Sequence, residues 1–526
     1  MYGRAAFNKL LRRRTCQKVY VRAFEEFACD TTTKHKGLVL GAYDGCHVGE
    51  YRLTHTAEKF DIEVGGRLSD LLKTSGIKLG ECVVYNNLSP EFYAIAVAGL
   101  GLEGLGYNEI ECIEECKENI RIAAGTACST LQDNHNITTI MVEEFTNPEA
   151  AAEGSSLSIW RYQEQKAIAK RKLEPNLEMY DAPDRESWGR GIIKGESQNY
   201  ARYLEESPAN IMTPSDFARS AINTLCPCGV AVEVRDRPWL EEKNLCTFLN
   251  MAKGSSQPPL LLELSYCGGA EDDKPVMLIG KGITFSSGGL CLKDCNHMDQ
   301  YRADMAGGAV IVGVLKALAL LGTPLNVTGL VPLCENMPGG MAAKPGDTIV
   351  GRLGKTIKIE NTDKEGQVVL SDVLHFSGTH KPCLVITIGT LSGATRHALG
   401  SSASAVFSTS DVVWREMARA GAESGDRVWR LPLWKHYYRK ITRSPDVDLS
   451  NVGHGIGGDP CVAASFLLEC APPVDFLHID NTGTGMEAGS ISPPYLRQGF
   501  MTGRPTRTII QFLQQIACPN DRPSPC

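Results

Sequence analysis

The chain has 526 residues, 43% of them hydrophobic and 22% charged, with a net charge of -7. That is enough apolar residue for two or three cores and too much for a disordered chain. The acidic balance gives no basic field for nucleic-acid phosphates, so no nucleic-acid partner is expected.

Met1 to Phe24 holds seven basic residues (Arg4, Lys9, Arg12, Arg13, Arg14, Lys18 and Arg22) and no acidic one. A basic leader over residues 1–35 reads as a mitochondrial presequence, with a flexible basic tail as the alternative. From Lys36 to about Thr146, apolar runs (GLVLGAY, ECVVYNN, FYAIAVAGL) alternate with helical stretches, the last an amphipathic segment from Asn108 to Leu131. This is an α/β pattern. Ala150 to Lys172 reads as a long linker helix, and the charged, proline-containing stretch Arg171 to Glu186 as a connector. The expected division is 36–183 for a small α/β domain with its linker helix and 184–526 for a larger one. In the larger domain the strands are VMLIG before Lys281, NVTGLVPL from Asn326, TIKIE before Asn361, LVITIG before Thr390 and VDFLHID ending at Asp480. The longest apolar stretch, Val310 to Gly322, contains Lys316 and falls short of the roughly 20 residues of a membrane span. No membrane partner is expected.

Gly99, Gly101 and Gly104 have the spacing of a dinucleotide phosphate loop after an apolar run, but no distinct acidic ribose partner follows. A tight glycine turn is the competing reading. The 19 cysteines are scattered and no apolar secretory segment precedes them. Free thiols are therefore expected, including Cys226 with Cys228 and Cys291 with Cys295, whose spacing is only loosely metal-like.

No HExxH, GxSxG or Walker lysine loop is present. Polar residues do stand where open α/β sheets bind ligands, at the carboxyl ends of the expected strands: Lys281, Asp363 with Glu365, and Thr390. Asp304 adds a third carboxylate before an apolar helix. Carboxylates converging in one cleft repel unless cations join them, and hard oxygen ligands suit Mg, Mn or Zn, as in a two-metal hydrolytic site. The competing reading is solvated loop acids and a snorkelling lysine.

Longer strings carry more. GKGITFSSGGLCLK (Gly280 to Lys293), RADMAGGA (Arg302 to Ala309), PLCENMPGG (Pro332 to Gly340), KPGD (Lys344 to Asp347), NTDKEGQ (Asn361 to Gln367), TLSGA (Thr390 to Ala394), ALGS (Ala398 to Ser401) and GRPTRT (Gly503 to Thr508) stand in the order found in leucyl aminopeptidases. With KGLVLGAY and PANIMTP, the chain resembles the leucyl (cytosol) aminopeptidase family over nearly everything after the leader. The resemblance implies a two-domain α/β fold, a small N-terminal domain joined by a helix to a catalytic domain. It also implies a hexamer and removal of N-terminal residues with two Zn or Mn ions. By motif, Lys281, Asp304, Asp363 and Glu365 match metal ligands, Lys293 matches the lysine that polarises the substrate carbonyl, and Thr390, Leu391 and Gly393 match substrate contacts.

The chain departs from that pattern at two chemical positions. The family's TFDSGG reads TFSSGG here, so Ser286 replaces the aspartate that bridges both metals. NTDAEGR reads NTDKEGQ, so Gln367 replaces the arginine that holds a bicarbonate general base, and Lys364 replaces an alanine. A neutral hydroxyl is a weaker ligand, and glutamine lacks the charged fork of arginine. In the substrate pocket Tyr301 replaces a methionine and Thr482 an alanine.

The expectation is therefore a catalytically impaired paralogue, structural in role, with Mn or Zn binding weakened or partly lost. It would assemble with itself or with related paralogues in a hexamer, and with cytoskeletal or sperm-tail proteins. Such members resemble the insect sperm leucyl aminopeptidases, which implies a mitochondrial or sperm-flagellar location, with a cytoplasmic one as alternative. The other reading is an active Mn- or Zn-dependent aminopeptidase, since Lys281, Lys293, Asp304, Asp363 and Glu365 are all retained.

Overall fold

The computed structural model describes residues 35–45, 47, 50–181, 183–489 and 491–518. The expected basic leader lies outside the described residues except for His35.

The first sheet has six strands, ordered Cys82–Asn86, Ala94–Gly101, Lys36–Asp44, Thr139–Glu143 and Asn176–Tyr180, with Tyr51–Leu53 paired to Lys36–Asp44. Lys36–Asp44 runs parallel to both of its long neighbours. Ala94–Gly101 is buried at every residue, as a strand covered on both faces must be. Its alternate residues divide two cores. Ala94, Ala96, Ala98 and Leu100 pack with Ile120, Ala123 and Ala127 of the helix Glu115–His135, while Ile95 and Val97 meet Phe60, Leu68 and Leu72 on the other side.

In this half two expectations need correction, and of the two readings of the glycine run the phosphate loop falls away. Gly99 and Gly101 are strand residues, and after Gly104 the chain forms a hairpin, Tyr107–Asn108 with Ile113–Glu114, before any helix begins. No phosphate loop is built there. A Cβ on Gly99 would stand 2.4 Å from the Lys78 carbonyl oxygen, so this glycine serves a close backbone approach. The amphipathic helix accordingly starts at Glu115 rather than Asn108. The linker helix is also shorter than expected: it spans Pro148–Ile159, Trp160 turns extended, and the supposed connector supplies the strand Asn176–Tyr180. That strand forms because Leu177 and Met179 pack on the first core while its backbone pairs with Thr139–Glu143. The 22-residue helix Arg185–Glu206 then leads to the second sheet.

The second sheet has nine strands, ordered Val428–Arg430, Ser404–Ser408, Asp475–Asp480, Leu384–Gly389, Val276–Gly280, Asn326–Asn336, Leu260–Cys267 and Ala231–Arg235, with Gly282–Ser286 paired to Asn326–Asn336. The middle four are parallel, and their carboxyl ends open on one side. The helix Ala306–Leu321 lands against three of them. A Cβ on its Gly307 would lie 2.1 Å from the Ile388 carbonyl oxygen, a contact only glycine permits.

TIKIE proves different from its expectation. Only Thr356–Lys358 is a strand, in a separate three-stranded sheet with Thr348–Val350 and Leu449–Ser450. It is half-buried, where the middle strands of the main sheet are covered on both faces. Asp363 and Glu365 thus reach the site from the turn before the helix Gly366–Ser377. Among the described residues every cysteine is a free thiol, and no helix is long and apolar enough to cross a membrane.

A buried carboxyl makes the first domain pH-sensitive. Both oxygens of Glu143 lie 2.8 Å from the Thr54 hydroxyl, and one accepts from the Gly41 N–H. Burial pushes its pKa up to about 8 against the lowering effect of these donors. The folded chain therefore holds a proton that the unfolded chain, with a glutamate pKa of about 4.3, releases. This contribution to stability is full below about pH 4.3 and is lost as pH rises to about 8. Glu143→Gln keeps the shape without the charge. Thermal unfolding should show the variant stabilised relative to the natural protein at pH 9, by up to about 5 kcal/mol, and not at pH 5. An offset independent of pH would refute the assignment.

Candidate functional site

The second sheet brings most of the expected site residues together. Lys281 follows the strand Val276–Gly280 and is 3% exposed. Its ammonium donates to Asp304 Oδ1 at 2.8 Å and to the Thr390 carbonyl at 2.9 Å, and lies 3.5 Å from Glu365 Oε1. Asp304 Oδ1 also accepts from the Thr390 hydroxyl at 2.6 Å. Burial alone would lower the Lys281 pKa, but Asp304 and Glu365 outweigh it and hold the pKa above the usual value. Burial pushes the Asp304 carboxyl up, opposed by Lys281 and aided by the Glu365 charge. Glu365 is also penalised by burial, yet Lys281 and Lys293 bring it below its usual value.

Lys293 reaches the cluster from a loop that turns at Gly288 and Gly289, with φ of 89° and 69°. A Cβ on Gly288 would lie 2.4 Å from the Cys291 carbonyl and 3.0 Å from Asp363 Oδ1, so the turn requires glycine. Lys293 Nζ lies 2.5 Å from Asp363 Oδ1 and 3.8 Å from the centre of the Tyr301 ring, a cation–π geometry. Its pKa is raised as well, because the carboxylates outweigh burial.

Ser286 ends the strand Gly282–Ser286 and is fully buried. Its hydroxyl donates to Glu365 Oε1 at 3.0 Å and accepts from the Gly288 N–H and from Asn336 Nδ2, each at 3.3 Å. A hydroxyl has one proton and two lone pairs, so all three are engaged.

Gln367 sits apart, one step along the helix Gly366–Ser377. Its amide donates to the Asn451 carbonyl at 2.7 Å, and Lys364 is directed to Asp459 at 2.8 Å. The Leu391 side chain packs against Gly366, while Gly393 opens a seven-residue helix with free space around it. Asp480, buried at the end of Asp475–Asp480, accepts from the Leu391 N–H, Thr395 Oγ1 and Thr482 Oγ1, the last at 2.5 Å. Asn336 and Asp480 hold this geometry, and sequence reasoning gave neither a role. Each ends a long apolar strand, which was the available signal.

The donor set does not fit two divalent ions. A lysine that ligates a metal must present a lone pair, whereas Lys281 faces three acceptor oxygens and needs its protons. The oxygen of Ser286 has no free lone pair to offer. Among the described residues no group of three His, Cys, Asp or Glu side chains is gathered as metal ligands would be. Asp304 Oδ2 and Glu365 Oε2 remain buried without hydrogen-bond partners.

Two family models match the chain, the cytosol aminopeptidase family catalytic domain over residues 199–510 and its N-terminal domain over residues 39–168. The chain is 40% identical to the cytosol aminopeptidase of Sus scrofa over 503 residues, 94% of this chain and 96% of the relative. It is 41% identical to that of Bos taurus over 484 residues, 91% and 92% of the two chains. Among solved structures it is similar to the bottromycin maturation enzyme BotP in complex with Mn, with a TM-score of 0.77 and 29% identity over 92% of this chain and 100% of that one.

Proposed function

The chain belongs to the cytosol aminopeptidase family, and on that premise we propose that it is a leucyl aminopeptidase-like protein with a degenerate two-metal site. It keeps the scaffold and turns over peptides slowly or not at all. The observation that carries this reading is Ser286, a neutral and fully hydrogen-bonded hydroxyl where the family places a bridging carboxylate. In an active member, metal ions supply a nucleophilic water at neutral pH and polarise the scissile carbonyl. The remaining groups of this chain are arranged against one another instead. Lys293, the residue matching the carbonyl-polarising lysine, is engaged by Asp363 and Tyr301. Gln367, with no charge, is bonded to a backbone carbonyl. Binding of Mn or Zn is accordingly weakened or lost.

With catalysis reduced, the role is structural. The protein assembles with itself or with related paralogues as a hexamer and meets cytoskeletal or sperm-tail proteins. The basic leader supports a mitochondrial or sperm-flagellar location over a cytoplasmic one.

The test is hydrolysis of leucine amide by the purified protein in excess Mn, beside the Sus scrofa relative. Loss of positioned general-base help alone removes roughly 10²- to 10⁴-fold in rate, so turnover below about 1% of the relative is expected. Turnover at the relative's rate would leave the active-aminopeptidase reading in its place.

A further inference from the structure

Asp304 and Glu365 share the Lys281 ammonium and Asp363 pairs with Lys293 beside them, and carboxylates drawn this close are unstable unless positive charge lies among them. Two divalent ions would fill that need in a site with a fourth carboxylate. Here the fourth is Ser286, and two lysines, Lys281 buried and Lys293 half-buried, already stand among the three acids. Lys281 meets Asp304, Glu365 and the Thr390 carbonyl at 2.8, 3.5 and 2.9 Å. Lys293 meets Asp363 at 2.5 Å, with its other side against the Tyr301 ring. Two lysine ammoniums thus stand within ion-pair reach of all three carboxylates, which offsets most of their mutual repulsion. Two divalent ions would instead leave the same groups strongly positive, even with Lys281 stripped of its proton.

The arrangement also ties elements together. Lys281 follows one central strand, Thr390 follows the adjacent one, Asp304 precedes the helix Ala306–Leu321 and Glu365 precedes the helix Gly366–Ser377. Ser286 joins the strand Gly282–Ser286 to the same knot through Glu365, and Asn336 fixes Ser286 in turn.

We propose that this cluster is a metal-independent ionic clamp, in which the Lys281 ammonium takes the structural place of a metal cation and fastens the carboxyl ends of the central strands to the helices that follow them. The inference rests on the degenerate-site reading and adds what the site now does. An uncompensated carboxylate cluster would hold these ends apart, so the clamp makes folding of the site independent of metal supply.

The experiment is metal analysis of the full chain together with thermal unfolding in chelator and in excess Mn. Much less than one Mn or Zn per chain is expected, with a midpoint that neither chelator nor Mn moves. Lys281→Met should lower the midpoint by several degrees, and adding Asp304→Asn should recover part of that loss, since the second change removes the stranded charge. Ser286→Asp should make the midpoint respond to Mn. One or more ions retained per chain, or a midpoint that falls in chelator, would overturn the clamp, as would a Lys281→Met protein as stable as the natural one. If Lys281→Met does not fold, the chelator measurement on the natural protein decides. A metal-binding protein without turnover would overturn the clamp and leave the low-turnover reading standing, whereas leucine amide turnover at the relative's rate would overturn the proposed function.

Discussion

The Ser286→Asp, Gln367→Arg double variant is expected to hydrolyse leucine amide at least about 10²-fold faster than the natural chain in excess Mn. Charge and lone pairs decide the outcome. Ser286 Oγ lies 3.0 Å from Glu365 Oε1, so an aspartate there sets a second carboxylate against Glu365. Without metal the two repel, and the variant should be less stable than the natural protein in chelator. With Mn, the restored carboxylate together with Asp304, Asp363 and Glu365 would hold the ion, which would supply the Lewis-acid chemistry that the natural site lacks. The Asp304 Oδ2 and Glu365 Oε2 atoms, buried without partners, then gain a cation. Gln367→Arg contributes separately. Arginine at this position carries the fork that binds an anion bidentately, where glutamine can only bond the Asn451 carbonyl. Steady-state rates of the two single variants and the double variant would separate the terms. Either single variant alone should recover little, because metal binding and general-base help are needed together. A double variant that binds Mn and gains no activity would place the defect elsewhere, in the pocket altered by Tyr301 and Thr482.

Glu153→Gln is expected to destabilise the protein by about 3–5 kcal/mol, a midpoint lower by roughly 3 to 7 °C. Glu153 lies on the helix Pro148–Ile159 and accepts from Arg121 Nε and Arg507 Nη1, each at 2.7 Å, with all three side chains at most 4% exposed. Arg121 belongs to the helix Glu115–His135 of the first sheet and Arg507 to the helix Thr506–Ala517 on the second, so one carboxylate joins the two halves. Its removal strands two buried guanidiniums. Each keeps other acceptors, Arg121 with Glu118 Oε2 and the Glu423 carbonyl and Arg507 with Gln198 Oε1 and the Ser424 carbonyl, which sets the upper limit of the effect. The pair Arg190 with Glu186 is a contrast. It is exposed, and Glu186→Gln should change stability by less than about 1 kcal/mol. Burial opposes ionisation of Glu153, but the two arginines hold its pKa well below the usual range. A carboxyl depressed in the folded state contributes stability above its unfolded pKa, about 4.3, and loses it as pH falls through the folded value. Acid unfolding of the natural protein should therefore steepen below about pH 4, and the Gln variant should lack that component. Equal acid sensitivity in both proteins would remove Glu153 from the account.

The residues were more legible than their geometry. The middle strands Val276–Gly280, Asn326–Asn336, Leu384–Gly389 and Asp475–Asp480 were readable as apolar runs because a parallel strand covered on both faces is apolar throughout. Lys281 and Thr390 at the ends of two of them were readable because each breaks an apolar run, whereas Asn336 and Asp480 end the other two and their roles became visible only through their hydrogen bonds. Thr356–Lys358 misled because a short apolar run is the same string whether it joins the main sheet or a small separate one. Ala150 to Lys172 misled because helix propensity does not register that Trp160 turns away or that Leu177 and Met179 can complete a neighbouring core.

The amino-acid sequence by itself determined the family, the two α/β units and the two positions, 286 and 367, that depart from the family's motifs, because those are facts about residue types in order. Only the tertiary structure decided that Lys281 faces three acceptors, that the Ser286 hydroxyl has no lone pair to spare, and that Glu153 meets an arginine 354 positions away. The physical reason is common to all three. Hydrogen-bond saturation and charge balance depend on groups that only chain folding brings within about 3 Å, and no local pattern records which of many possible partners will arrive.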